Sequence, residues 1–222
     1  MRKIKKGQAP NIIKTKNAEF LKEFSKNPDI NIQRKWDAWS KKKELREYLA
    51  GIQFEKCCYC ERGIILTTEQ EIEHFKPKNI YKKLCFDYKN LFLACPSCNR
   101  AKLERDDNII NPSTTDPFKH IYFSGEKVLH INKSKKGKNT IEVLKMNESD
   151  RIKARSNYLE KVIGRQLGLY LDKIKRGEIE IENDLDELFS EKAIYRKLCL
   201  DNYGESYKKM KKEIERIKSS YK

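Results

Sequence analysis

The apolar positions along this chain follow two different periods. In residues 15–27, Ala18, Leu21 and Phe24 recur every third residue behind Thr15, a good N-cap type, and predict a short helix. Residues 33–52 predict a longer one, with Trp36, Trp39, Leu45, Leu49 and Ile52 at roughly helical spacing. The two tryptophans fit that stripe, so they read as core rather than as a platform for stacked bases. The pattern then changes. "IEHF" (72–75) and "NLFLA" (90–94) are short, apolar and flanked by turn residues, which predicts strands. "PSCNRAKLER" (96–105) opens with Pro and Ser and continues in good helix formers, so the local order is strand, loop, strand, helix.

Residues 108–147 mix turn signals ("NPSTTDP", "FSGE", "KKGKN") with short apolar runs ("HIYF", "KVLHI", "TIEVLKM"), a pattern of a few strands and loops. Ser149 can cap a helix over 149–176, with Ile152, Leu159, Val162, Ile163, Leu167, Tyr170, Leu171 and Ile174 on its apolar face. Two more helices are expected near 184–200 and 203–221. Tyr203, Tyr207, Met210, Ile214, Ile217 and Tyr221 in the last one alternate spacings of four and three, a heptad seam too short for a coiled coil. The seam can pack on the chain's own helices, or dock a partner or a second copy. Three segments result: a helical region over 1–56, a cysteine-bearing core with following strands and loops over 57–147, and a helical region over 148–222.

Composition narrows the partners. The chain has 222 residues, 37% of them charged and 38% apolar, with a formal charge of +16. Residues 1–56 carry 15 Lys/Arg against 7 Asp/Glu, residues 57–120 carry 10 against 9, and residues 121–222 carry 24 against 17. A nearly neutral core is thus flanked by basic segments, a balance that attracts polyanions such as DNA or RNA through counterion release. No apolar run is long enough to cross a membrane, and the basic start "MRKIKKGQAP" leads into no signal-type apolar stretch, so a cytoplasmic location is expected. P-loop, GxGxxG and GxSxG patterns are absent, which argues against a nucleotide-binding or serine-hydrolase site.

Seven cysteines in such a chain point to metal rather than disulfides. "CCYC" provides Cys57 and Cys60, and "CPSC" provides Cys95 and Cys98. Two residues between thiolates let one turn present both sulfurs to one ion, and two such turns complete the tetrahedral four-thiolate site of structural Zn²⁺. Cys58 competes with Cys57 but lacks the two-residue spacing to Cys60. Cys85 and Cys199 have no partner at ligand spacing and read as small core residues.

The segment between the pairs offers hydrolytic chemistry. His74 is a suitable base near neutral pH. Glu73 and the amide oxygen of Asn99 are hard ligands for Mg²⁺ or Mn²⁺. Asn90 can accept the proton of the far imidazole nitrogen and fix the tautomer. Glu73 and His74 would point to opposite sides of an ideal strand, so the strand must end or bend there, as Pro77 just downstream suggests. Lys76, Lys78, Arg100 and Lys102 flank these residues as phosphate contacts. Zinc-dependent nucleic-acid binding without catalysis is the alternative reading.

The order "CCYC", "EH", "NL", "CPSCNRAK" resembles the HNH endonucleases of the ββα-metal class. "CYCE", "IEHFKPK", "DYKNLFLACPSCN", "NPSTTDP" and "TIEVLKMN" extend the resemblance to the PtuB-type HNH proteins of Septu anti-phage systems, with related proteins accompanying some retrons. The resemblance implies an α+β fold with a small zinc-stapled ββα-metal core and helical additions at both ends. It also implies His74 as general base, Asn90 as its orienting residue and Glu73 with Asn99 as ligands of Mg²⁺ or Mn²⁺. Many members carry Asp or His in place of Glu73 and His in place of Asn99. The substrate implied is nucleic acid, with DNA favoured over RNA. An ATPase partner of the PtuA kind is implied, and no membrane. One site cuts one strand, so a double-strand break calls for two binding events or a homodimer.

Overall fold

The computed structural model describes residues 1–64, 70–105 and 108–220. Helix α1 (Asn11–Lys26) starts four residues before Thr15, because extended Pro10 offers its carbonyl to the amides of Ile13 and Lys14. The helix expected over 33–52 is two helices, α2 (Ile32–Ala38) and α3 (Lys42–Gln53). Asn31 caps α2 by accepting from the Arg34 amide at 2.8 Å. Trp39 leaves the helix in an extended conformation. The break lets both tryptophans reach Phe86, with ring centroids 5.4 Å and 5.5 Å away.

Strands β1 (Glu71–His74) and β2 (Leu91–Ala94) pair antiparallel, with Glu73 opposite Phe92 and His74 opposite Leu91. All four residues of β2 are buried, which accounts for its unbroken apolar run. Its outer edge is covered rather than left open. The Gln53 side chain donates to and accepts from the Leu93 backbone at 2.9 Å, and the Cys58 amide donates to the same Leu93 carbonyl. Helix α4 (Pro96–Lys102) follows at once. It stops three residues sooner than its helix formers suggest, because Leu103 turns the chain with φ of +48°. These three elements form a ββα core in an α+β fold.

A second hairpin joins β3 (Ile121–Ser124) to β4 (Lys127–His130). "TIEVLKM", expected among strands and loops, lies largely in helix α5 (Lys135–Val143). Ser134 caps that helix, accepting from the Gly137 amide at 3.0 Å. Gly137 is needed there, since a Cβ would sit 2.3 Å from the His120 carbonyl oxygen.

The helix expected over 149–176 exists as α6 (Ser149–Asn157), a π-helical stretch (Tyr158–Gly164) and α7 (Arg165–Lys175). Glu148, not Ser149, holds its N-cap position. The two helices expected near 184–200 and 203–221 are α8 (Glu182–Leu188) and α9 (Arg196–Ser220), with the break between them at residues 189–195 rather than near 201–202. The heptad seam is used within the chain. Met210 and Ile214 are buried against the preceding helices, and Tyr207 stacks on Phe189 at 4.5 Å. Tyr221 lies outside the described residues.

Two apolar clusters result. The first runs from Met1 to Leu198 and takes residues from all three sequence segments; the second, from Ile163 to Ile214, lies among the C-terminal helices. The basic N-terminal stretch is laid over the first. The Ile4 amide donates to the Pro112 carbonyl at 2.7 Å, and the Lys6 ammonium donates to the carbonyls of Tyr88 and Leu91. No helix among the described residues is long and apolar enough to cross a membrane.

Phe86 is fully buried among Phe20, Trp36 and Trp39. Phe86→Ala is expected to cost about 3–5 kcal/mol in urea unfolding, the usual range for emptying a large aromatic site. A loss below about 1 kcal/mol would show that the tryptophan pair closes the gap unaided.

Candidate functional site

The local fold gathers the four predicted thiolates. The turn after α3 brings Cys57 to Cys60, with the Cys57 amide donating to the Arg62 carbonyl and the Glu61 amide to the Cys57 carbonyl. Cys95 holds the N-cap position of α4, and Cys98 follows in its first turn. The sulfurs of Cys57, Cys60, Cys95 and Cys98 all lie within 4.8 Å of one another, and those of Cys60 and Cys95 are 3.8 Å apart. A tetrahedral Zn²⁺ site with Zn–S bonds of about 2.3 Å sets its sulfurs roughly 3.8 Å apart, so the donors fit such an ion. All seven cysteines are free thiols; Cys58, Cys85 and Cys199 are buried outside this cluster.

His74 closes β1, beyond which the chain turns at Pro77. The strand end is what lets adjacent Glu73 and His74 line the same cavity, of about 240 Å³, together with Asn99, Lys78 and Arg100. His74 is only 7% exposed, with the Trp36 ring edge-on at 4.4 Å. Burial lowers its pKa to about 3, against a raising contribution from the Cys85 carbonyl and with Lys78 and Lys102 adding to the fall. The ring is therefore neutral at physiological pH. Its Nε2 lies 2.9 Å from the Cys85 carbonyl oxygen, which can only accept, so Nε2 carries the proton and Nδ1 is the basic nitrogen.

That arrangement corrects the role read for Asn90. Its side chain does not touch the imidazole. It accepts from the Lys76 amide at 2.7 Å and donates to the carbonyls of Lys76 and Leu84, at 2.9 Å and 3.1 Å. Asn90 thus ties together both ends of the loop that carries the Cys85 carbonyl, and orients the His74 ring at one remove.

Lys102 needs a second correction. It is 0% exposed and cannot reach a phosphate at the surface. Its ammonium lies 2.8 Å from Glu73 Oε1 and 3.0 Å from the His74 carbonyl oxygen. The Tyr59 hydroxyl donates to the same Oε1 at 3.0 Å. Burial raises the Glu73 pKa, while Lys102 and Tyr59 act against that. No described residue bonds Glu73 Oε2. Asn99 Nδ2 donates to Glu71 Oε2 at 2.6 Å, which fixes the amide and leaves Oδ1 without a partner among the described residues. Two free oxygen donors on one cavity fit a hard divalent cation. Lys78 and Arg100 remain at the cavity. Lys76 is not in its lining; its ammonium lies 5.0 Å from the centre of the Tyr81 ring.

A zinc-type thiolate cluster stapling a ββα core, with an acid–histidine pair at the end of its first strand, defines the ββα-metal class of site. The HNH endonuclease family model matches residues 57–105. A Septu protein PtuB from Bacillus thuringiensis is 30% identical over 153 residues, 67% of this chain and 56% of that protein. A Septu protein PtuB from Bacillus mycoides (strain KBAB4) is 31% identical over 122 residues, covering 40% of this chain and 41% of the relative. The "Retron Vc95 putative HNH endonuclease" of Vibrio cholerae serotype O1 biovar El Tor is 30% identical over 174 residues, 72% of this chain and 82% of that protein. The chain belongs to the HNH endonuclease family. It spans about half the length of the two Septu relatives.

Several neighbours of the site escaped the sequence reading. Tyr59 sits inside the "CCYC" turn, and Glu71 shares a strand face with Glu73, so the motif and period 2 are the signals that could have found them. Nothing local pointed to Trp36, to the Cys85 carbonyl or to Arg151. Arg151, on α6, donates to Cys98 Sγ at 3.2 Å. Four thiolates around a Zn²⁺ ion would leave two net negative charges, and this guanidinium would offset part of them. Arg151→Gln is expected to speed zinc loss to a chelator by about 10-fold while the fold persists. Cys95→Ser should lose both zinc and fold. An unchanged release rate in the Arg151 variant would reduce that contact to packing.

Proposed function

We propose that this chain is a metal-dependent HNH endonuclease that hydrolyses phosphodiester bonds in nucleic acid, with DNA the favoured substrate. The observation that carries the reading is that Glu73, His74 and Asn99 line one cavity with Lys78 and Arg100 at its margin. His74 Nδ1 takes the proton from the attacking water, while Nε2 keeps its own proton on the Cys85 carbonyl. Glu73 Oε2 and Asn99 Oδ1 hold Mg²⁺ or Mn²⁺. When bound, that cation supplies Lewis-acid stabilisation of charge on the phosphate and leaving oxygens. Lys78 and Arg100 position the phosphodiester backbone without reading sequence. The four cysteines hold structural Zn²⁺, which keeps Asn99, the residue after Cys98, in register with the strand end.

The names of the Septu and retron relatives support a role in anti-phage defence. A chain without a P-loop cannot bind ATP by that route, so an ATPase subunit of the PtuA kind supplies any nucleotide dependence. Residues 57–147 carry the chemistry in this reading, and the C-terminal helices dock the partner. A groove of about 690 Å³ between α7 and α9, lined in part by Leu171, Ile174, Met210 and Ile217, supports that assignment.

Incubation of plasmid with the protein and Mg²⁺ or Mn²⁺ tests the chemistry. Nicking is expected, EDTA should stop it, and His74→Ala should lower it by about 10²–10⁴-fold with zinc retained. Full nicking by the His74 variant would remove the base assignment, and binding without nicking in the parent protein would replace catalysis by a binding role.

A further inference from the structure

The Glu73 carboxylate is held in an asymmetric way. Oε1 is engaged twice, by the Tyr59 hydroxyl at 3.0 Å and the Lys102 ammonium at 2.8 Å, and Oε2 by no described residue. Both partners are fully buried. A buried ammonium with no carboxylate beside it would be costly, and so would a buried phenol without an acceptor, so neither group can leave Oε1 cheaply. A carboxylate has two degrees of freedom at its end, rotation about the terminal bond and swing of the chain. Two donors converging on one oxygen remove both.

We propose that Tyr59 and Lys102 are positioning residues that lock Glu73 Oε1 and so present Oε2 to the cavity as a preformed ligand for a divalent cation. The inference rests on the reading of Glu73 as a metal ligand given above. Each donor also ties the ligand to another part of the core. Tyr59 lies between Cys57 and Cys60, so the thiolate turn and the cation ligand share one rigid unit. Lys102 lies on α4, one turn beyond Asn99, and also bonds the His74 carbonyl at 3.0 Å. One ammonium therefore registers the strand end against the helix, holding the base, the carboxylate and the amide ligand together. Second-sphere partners of this kind typically change metal affinity by about 10–100-fold.

The test is Mn²⁺ titration of the zinc-loaded full chain, following free Mn²⁺ by electron paramagnetic resonance, without substrate. The parent protein, Glu73→Gln, Tyr59→Phe and Lys102→Met are compared, with zinc content and unfolding midpoint measured for each. The parent should bind Mn²⁺ and Glu73→Gln should lose it. Tyr59→Phe, which keeps the ring and removes only the donor, should weaken binding about 10-fold with zinc content unchanged. Lys102→Met should weaken it at least as much. In Tyr59→Phe the Mn²⁺ concentration giving half-maximal nicking should rise in step with the loss of affinity. If Glu73→Gln loses Mn²⁺ but Tyr59→Phe binds it like the parent, the positioning inference is overturned and the ligand reading stands. If the parent binds no Mn²⁺, or Glu73→Gln binds it equally well, both fall. Should Lys102→Met not fold, the Tyr59 variant decides alone.

Discussion

The convergence of four cysteine sulfurs is the constraint on which the site depends. Cys57 and Cys60 follow α3, Cys95 and Cys98 open α4, and the two pairs precede and follow the hairpin in the chain, meeting at its open end, where Glu71 faces Ala94. A ring of sulfurs within 4.8 Å leaves the two turns little relative freedom. Whatever is covalently next to those turns is fixed with them. Tyr59 lies inside the first turn and Asn99 directly after the second, so the donor that meets Glu73 and the amide that faces the cavity inherit their positions from the thiolates. The core is too small to hold that arrangement by apolar packing alone. Its strands have four residues each and its helix seven. The flanking helices add the missing area, and Trp36 and Trp39 bring the N-terminal helices onto the loop that carries Phe86.

Around His74 the balance is different. An imidazole in apolar surroundings loses its charged form first, and here burial does that without an acidic partner. Its tautomer then depends on a single backbone carbonyl at Cys85, whose place is set by a loop that Asn90 closes at both ends. The result is a neutral ring with a defined basic nitrogen, made from one histidine, one carbonyl and one amide side chain that never meet at a single point. The lysine beside them is equally indirect: a charge that reads as a surface contact lies inside the protein.

Local chemistry in the sequence was enough for some of this and not for the rest. The cysteine spacing and the strand, loop, strand, helix order around residues 57–102 were legible, because turn residues, β-rich runs and metal-ligand spacing act over short distances. The division of residues 33–52 into two helices was not, since it answers to the position of Phe86, distant in sequence. "TIEVLKM" carries β-branched residues but folds largely as helix, capped by Ser134 and passing at Gly137 against the His120 carbonyl; tertiary contact overrides propensity there. Asn90 has the chemistry to orient the imidazole, and the resemblance implies that role, but it meets backbone partners first. Lys102 had the right spacing to share a face with Asn99, but spacing cannot say whether that face looks to solvent or to a buried carboxylate.

The π-helical stretch at Tyr158–Gly164 has a further consequence. A π turn holds an extra residue, so it rotates everything after it by about 100° relative to a regular α-helix. In this chain the rotation falls at the passage between the two cores: Leu159 packs in the first, and Ile163, Leu167, Tyr170 and Ile174 in the second. One continuous helix thus changes the side it shows to the protein partway along its length. Deleting a single residue from that stretch would restore ordinary helix geometry and keep nearly the same composition, yet it would turn the whole distal apolar stripe away from α9. The join between the nuclease-type core and the C-terminal helices is therefore a matter of phase, encoded in residue count rather than in the identity of any one side chain.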